Sequence, residues 1–199
     1  MLVIGLTGPT GAGKGTVAKA FATFGVQIID ADAVYHALLV PPSPCLDELT
    51  ARFGSGILNS DKTLNRQALG AIVFSDSTAL ADLNSITHRY VMAEIRSELD
   101  RLRKKKVKTA LLDAPQLFEA GADRDCDVVV SVLADEERRL TRIMKRDGIS
   151  PEAAKKRMAA QLPDDFFRRN ASYIIENNQS PEQLTETVQA LLFEIGGLP

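Results

Sequence analysis

Residues 5–16, GLTGPTGAGKGT, bring together residue types that can hold a polyphosphate. Glycines allow the backbone to curl until successive N–H groups point inward at one anion. A helix opening at Lys14 adds the positive end of its dipole. Lys14 supplies a full charge for β- and γ-phosphates. The spacing Gly8-x-x-x-x-Gly13-Lys14, set between an apolar run and a helical pattern, is that of a P-loop. Gly11, Ala12, Gly13, Lys14, Gly15 and Thr16 are accordingly the expected nucleotide contacts. A tight glycine turn alone would not require Lys14. A dinucleotide loop counted from Gly11 and Gly13 would need glycine at 16, where Thr16 stands.

The strict motif places Ser or Thr directly after the lysine, as a magnesium ligand. Here that position is Gly15, and the hydroxyl is displaced to Thr16. GAGKGT resembles the loop of adenylate kinases, where the same Gly-Thr ending supports phosphoryl transfer. Magnesium is therefore expected on nucleotide phosphates, water and a carboxylate elsewhere. Thr16 is expected to contact a phosphate oxygen.

IIDADAV supplies two carboxylates, Asp30 and Asp32, at the end of a second strand-like run. Two residues apart in an extended chain, they would share a face. Ligands of open α/β sheets gather outside the carboxyl ends of the strands, the edge where the phosphate loop lies. A carboxylate there can accept the proton of a hydroxyl attacking a γ-phosphoryl group, or hold magnesium through water. Capping of the strand end is the plainer use. Asp113, ending the apolar run TALLD, can orient magnesium or start the turn into Ala114-Pro115. Arg138, Arg142 and Arg146 recur every four residues and would line one helix face. Such a stripe can neutralise charge on a transferred group, or simply be solvated.

The surrounding pattern shows how these residues would be positioned. Apolar runs at 2–7, 26–30, 109–115, 127–134 and 173–177 alternate with helical patterns, which indicates an α/β fold with a parallel five-stranded sheet flanked by helices. Lys14 to Phe24 reads as a helix with Val17, Phe21 and Phe24 on one face, closed by Gly25. Residues 33–103 leave the sheet: PPSP at 41–44 breaks the chain, and Leu80, Leu83, Ile86, Tyr90, Val91 and Ile95 form a helical apolar stripe. RLRKKKVK at 101–108 reads as a solvated helix end. Ser150-Pro151 opens one late helix, and Ser180 with Gln183 forms a capping box at another, whose stripe is Leu184, Val188, Leu191 and Leu192.

The 199 residues suit one domain with a small insertion, and 45% hydrophobic composition provides for a core. A net charge of −2 gives no basic field for nucleic acid. No apolar run of membrane-spanning length and no signal-peptide pattern is seen, so a cytoplasmic protein is expected. Cys45 and Cys126 match no metal spacing and read as free thiols of a reducing compartment. His36 and His88 are too isolated for a metal site.

Along nearly its whole length the chain resembles the dephospho-CoA kinase family. IGLTGPTGAGKGTVA, IDADAV, FGSGIL, LNRQALGAIVF, LNSITH, PQLFE, RIMKRDGIS, AAQ and YIIENN follow in the family's order. The resemblance implies phosphorylation of the ribose 3′-hydroxyl of dephospho-CoA by ATP with Mg²⁺, the last step of coenzyme A synthesis. It implies a P-loop kinase core (about 1–32, 107–135 and 170–199), a helical acceptor subdomain (about 33–106) and a short helical lid (about 136–169). By position, Asp32 looks like the general base with Asp30 in support. Arg66 and His88 look like acceptor-side residues, Arg142 like the lid arginine that meets ATP phosphates, and Asn177 like the start of the adenine loop. The implied partners are small molecules, ATP and dephospho-CoA, without nucleic acid or membrane, on a monomer or weak homo-oligomer. Asp32 or Asp113 would position magnesium through water.

Departures from the family pattern are Gly15 for serine, Arg89 for the proline after His88, Gln116 for leucine, and Asn178-Gln179 without the usual glycine. Arg89 in place of proline is expected to loosen a helix constraint and to add a cation near the acceptor site. Two other readings remain open at this stage. A nucleoside monophosphate kinase is favoured by the Gly-Lys-Gly-Thr ending and disfavoured by the Asp-Ala-Asp signature. A nucleotide-binding module without catalysis is favoured by Gly15 and opposed by Lys14, Asp32 and Arg142.

Overall fold

The computed structural model describes residues 1–198. Five strands form one parallel sheet: β1 (Leu2–Thr7), β2 (Gln27–Asp30), β3 (Thr109–Asp113), β4 (Val128–Leu133) and β5 (Tyr173–Glu176), in the order β2-β3-β1-β4-β5. β1, β3 and β4 are almost fully buried. That burial explains their largely apolar, non-alternating composition, since parallel strands covered on both faces do not alternate. β1 is central, so the loop that leaves it emerges mid-sheet, between the ends of β3 and β4.

One face of the sheet is covered by α1 (Lys14–Thr23) and α9 (Pro181–Glu194). Val17 and Phe21 of α1 and Leu184, Val188 and Leu192 of α9 pack with Ile4, Leu6, Val130 and Val132 into one cluster. The helix limits follow local chemistry. Gly25, at φ 79°, follows α1 and donates to Ala22 O. Ser180 and Gln183 close a reciprocal capping box at the start of α9. α6 (Glu136–Asp147), α7 (Pro151–Ala159) and α8 (Asp164–Asn170) lie between β4 and β5, and Ser150 Oγ accepts from Ala153 N to cap α7.

The chain divides into two compact units, residues 1–30 with 99–199, and residues 31–98. The second is helical: α2 (Ala31–Ala37), α3 (Pro44–Phe53), α4 (Arg66–Val73) and most of α5 (Ser77–Lys104). Its core joins Leu39, Cys45, Leu49, Ile57, Leu69, Val73 and Ala79, with Leu80, Leu83, Ile86 and Tyr90 of α5 packed against it. The break at 41–44 becomes a cis Pro41–Pro42 bond, then Ser43 as N-cap of α3 with Pro44 in its first turn. Asp76 caps α5 through Oδ1, which accepts from Thr78 N at 2.8 Å.

Helix α2 corrects one expectation. The chain does not stay extended through IDADAV; β2 stops at Asp30 and the helix begins at Ala31. Asp30 therefore ends a strand while Asp32 stands in the first turn of a helix, and the two do not share a strand face. Asp32 gains from that position, because a carboxylate in a first helical turn faces the positive end of the dipole.

Both cysteines are free thiols. Burial pushes Cys126 up to about 12, and Asp125, Asp123 and Asp127 add to the shift. No helix among the described residues is long and apolar enough to cross a membrane. Phe21 is fully buried at the centre of the main cluster. Phe21→Ala should lower stability by roughly 3–5 kcal/mol, the range for a large aromatic cavity, measured as a shift of the urea midpoint at unchanged slope.

Candidate active site

The loop from Gly8 to Gly13 links the end of β1 to the start of α1. All three of its glycines are dictated by their surroundings; at Gly11, φ 79°, a Cβ would sit 2.7 Å from Arg139 O. Gly8 lies at φ 144°, and a Cβ there would sit 2.2 Å from Val132 O, a backbone atom that cannot swing aside. Gly13, at φ 92°, is the residue before α1, and a Cβ there would sit 2.1 Å from Asn177 Nδ2. The helix has no side-chain N-cap, which leaves the first N–H groups of α1 available to an anion. Gly15 is different: nothing lies within 4 Å of where its Cβ would be. Thr16, one residue on, is exposed.

Three of the loop's carbonyls are individually met by side-chain donors. Thr10 O accepts from Arg139 Nε at 3.1 Å, and Gly11 O accepts from Arg142 Nη1 at 3.2 Å. Ala12 O accepts from both Arg142 Nη1 at 3.1 Å and Asn177 Nδ2 at 2.8 Å. Arg142 also donates through Nη2 to Asn177 O at 3.0 Å. Arg142 and Asn177 are thus brought together with Gly11, Ala12 and Gly13, as framing for the cradle.

The arginine face is not the one its four-residue spacing suggests. Arg139, Arg142 and Arg146 of α6 meet the loop, whereas Arg138 is exposed and lies 3.8 Å from Asp135. Arg139, missed in the sequence, is only 6% exposed and also pairs with Asp164 Oδ1 of α8 at 2.8 Å. Its spacing of three and seven residues to Arg142 and Arg146 is equally helical, so periodicity alone could not choose. Arg146 and Arg157 both pair with Asp147. The hydrogen bond from Arg146 holds the Asp147 carboxyl below its ordinary range, and the same bond raises Arg146.

Lys14 is paired with Asp113. Asp113 ends β3 directly beside Leu6 of β1 on one side and Asp30 of β2 on the other. In-register neighbours on parallel strands emerge on the same face at a strand spacing of about 4.8 Å, so Asp30 and Asp113 place two carboxylates at the sheet edge that carries the loop. Asp30 thus pairs across strands with Asp113 and not along one strand with Asp32. Near the exit of β5, Asn178 and Asp135 exchange two hydrogen bonds and tie that loop to the start of α6.

The helical unit carries Asp32, Arg66 and His88, whereas Asp30 ends β2 in the sheet unit. Asp32 and His36 are one turn apart on α2, and Arg66, first residue of α4, meets His36 Nδ1 at 2.9 Å. Burial raises the Tyr35 phenol, with Arg66 opposing that rise. His88 lies mid-way along α5. Arg89, expected to loosen a helix constraint and to add a cation near the acceptor site, is engaged between two helices. It pairs with Glu48 of α3 and stacks on Tyr90 at 5.0 Å, while Tyr90 donates to the same carboxylate at 2.9 Å. The helix runs unbroken through position 89, and Arg89 fastens α5 to α3 where a proline would have bent it.

A glycine-framed anion cradle on the central strand of a parallel sheet, with a lysine, strand-end carboxylates and an arginine face, defines a P-loop small-molecule kinase. The family model described as dephospho-CoA kinase matches residues 2–183. The dephospho-CoA kinase of Syntrophotalea carbinolica is 42% identical, over 96% of this chain and 91% of its own length. That of Corynebacterium efficiens is 40% identical, over 98% of both chains. The solved dephospho-CoA kinase of Campylobacter jejuni superposes with a TM-score of 0.73 at 29% identity, covering 97% of this chain and 96% of that one. A shikimate kinase of Acinetobacter baumannii, at 20% identity, 98% and 93% coverage and a TM-score of 0.54, shares the fold. The chain belongs to the dephospho-CoA kinase family.

The two glycine environments make opposite predictions. Gly8→Ala should cost about 2 kcal/mol or more, because the position is both left-handed and closed by backbone. Gly15→Ala should be neutral or stabilising, by up to roughly 1 kcal/mol, since it removes a helical glycine into open space. Thermal unfolding of the two variants side by side reads both.

Proposed function

We propose that the chain transfers the γ-phosphoryl group of ATP to the ribose 3′-hydroxyl of dephospho-CoA, the final step of coenzyme A synthesis. The observation that carries this reading is the complete cradle on β1 in a chain whose family membership spans nearly its full length. Main-chain N–H groups of the Gly11–Thr16 loop wrap the β- and γ-phosphates, apart from those of Ala12 and Thr16, which donate to Pro9 O and Gly13 O, and Lys14 leaves Asp113 to meet them. Electrostatic stabilisation and positioning supply most of the catalysis in phosphoryl transfer. Arg142 adds charge at the phosphates while holding Gly11, Ala12 and Asn177 in place. Thr16 contacts a phosphate oxygen, and the loop after Asn177 receives the adenine.

Asp32 accepts the proton of the 3′-hydroxyl, and Asp30 supports it. Residues of about 33–106 receive the acceptor, with Arg66 and His88 on its anionic groups, and about 136–169 form the lid that excludes water. The oxygen-only donor set fits a magnesium ion held chiefly by phosphates and water, as no group of three or more metal-binding side chains occurs among the described residues. Asp113 or Asp32 would hold it through water. When bound, it neutralises phosphate charge as transfer proceeds. The enzyme acts in the cytoplasm on small molecules.

Incubation with Mg²⁺-ATP and dephospho-CoA should release ADP only when the acceptor is present, with coenzyme A detected by mass. ADP formed only with nucleoside monophosphates would refute the acceptor assignment. Asp32→Asn should lower kcat by roughly 10²–10⁴, and Arg142→Ala by roughly a hundredfold; rates near wild type would remove those roles. Gly15→Ser puts a hydroxyl into open space, and should reduce the Mg²⁺ concentration needed for half-maximal rate.

A further inference from the structure

Three side chains of the 136–169 segment converge on one residue of the cradle, Thr10. Its N–H donates to Gln161 Oε1 at 2.7 Å, its carbonyl accepts from Arg139 Nε at 3.1 Å, and its hydroxyl accepts from Arg146 Nη2 at 3.3 Å. These partners come from the start of α6, the end of α6 and the turn after α7, so Thr10 touches the whole length of that segment.

The contacts differ in kind. Those of Gln161 and Arg139 use the main chain and would be made by any residue at position 10 with an N–H and this backbone path. The bond from Arg146 requires a hydroxyl. Arg146 is also held by Asp147, which accepts from Nε at 2.7 Å and from the same Nη2 at 2.9 Å. Asp147 also binds Arg157, so a single carboxylate gathers two cations beside the loop. A long arginine side chain at 59% exposure has many rotamers open to it. The carboxylate fixes the plane of the guanidinium, and the hydroxyl fixes where that plane lies relative to the phosphate loop.

We propose that Thr10 is a positioning residue for phosphoryl transfer: its hydroxyl latches Arg146 to the cradle and so couples docking of the lid to the loop that wraps the phosphates. This rests on the reading of the chain as an ATP-dependent kinase. Arg146 can then present charge to the transferred group from a preset orientation, which matters because misplacement of a charged donor forfeits much of its benefit.

Thr10→Val removes the hydroxyl at nearly constant shape and leaves both main-chain bonds. It should lower kcat about tenfold, with the KM for ATP and the melting temperature little changed. Thr10→Ser should restore the rate. In an Arg146→Met background, Thr10→Val should cause no further loss, because the latch then has nothing to hold. A wild-type kcat for Thr10→Val, failure of Thr10→Ser to recover activity, or independent losses in the double variant would each overturn the proposal. Lys14→Met tests the kinase reading separately: if it abolishes ADP release while Thr10→Val is silent, only the latch fails, and if it leaves ADP release intact the reading beneath it fails.

Discussion

A loop that turns its N–H groups toward an anion must turn its carbonyls elsewhere, and buried or half-buried carbonyls need donors. This constraint organises the core unit. Thr10, Gly11 and Ala12 receive their donors from Arg139, Arg142 and Asn177, so α6 and the exit of β5 are drawn against the loop. The same closeness leaves no room for a side chain at Gly8 or Gly13. Cradle, arginine face and β5 exit thus form one hydrogen-bonded assembly. Arg139 illustrates the cost of such packing: a nearly buried cation is tolerated because Asp164 and a backbone carbonyl both accept from it.

Charge in this assembly is stored in pairs. Lys14 rests on Asp113, and Arg146 and Arg157 rest on Asp147. Each pair keeps a cation ordered beside the loop, because a charge-assisted hydrogen bond holds it to a carboxylate. Asp113, the partner of Lys14, also lies in register with Asp30 at the sheet edge.

The helical unit solves a different problem. It has no sheet to pack on, so its small core is supplemented by polar ties between helices. Glu48 meets Arg89 and Tyr90, and Arg52 meets Asp82, all linking α3 to α5. Exposed ties of this kind contribute little each, but they set the register of α5 against α3.

The amino-acid pattern alone determined the sheet, because buried parallel strands read as short apolar runs and each lies between recognisable helix starts. It determined the cradle too, since Gly8, Gly13 and Lys14 carry their roles in local backbone geometry. Ser150 and Ser180 announced their helices by the same local chemistry. What only the tertiary structure decided depends on partners distant in the chain. The strand order set Asp30 beside Asp113 rather than beside Asp32. The docking angle of α6 chose Arg139 over Arg138, although both fit a helical period. Glu48, 41 residues away, made Arg89 a tie between α5 and α3. Spacing reports which residues share an element; it carries no information on which element will lie opposite, and that is fixed only when apolar faces are buried together.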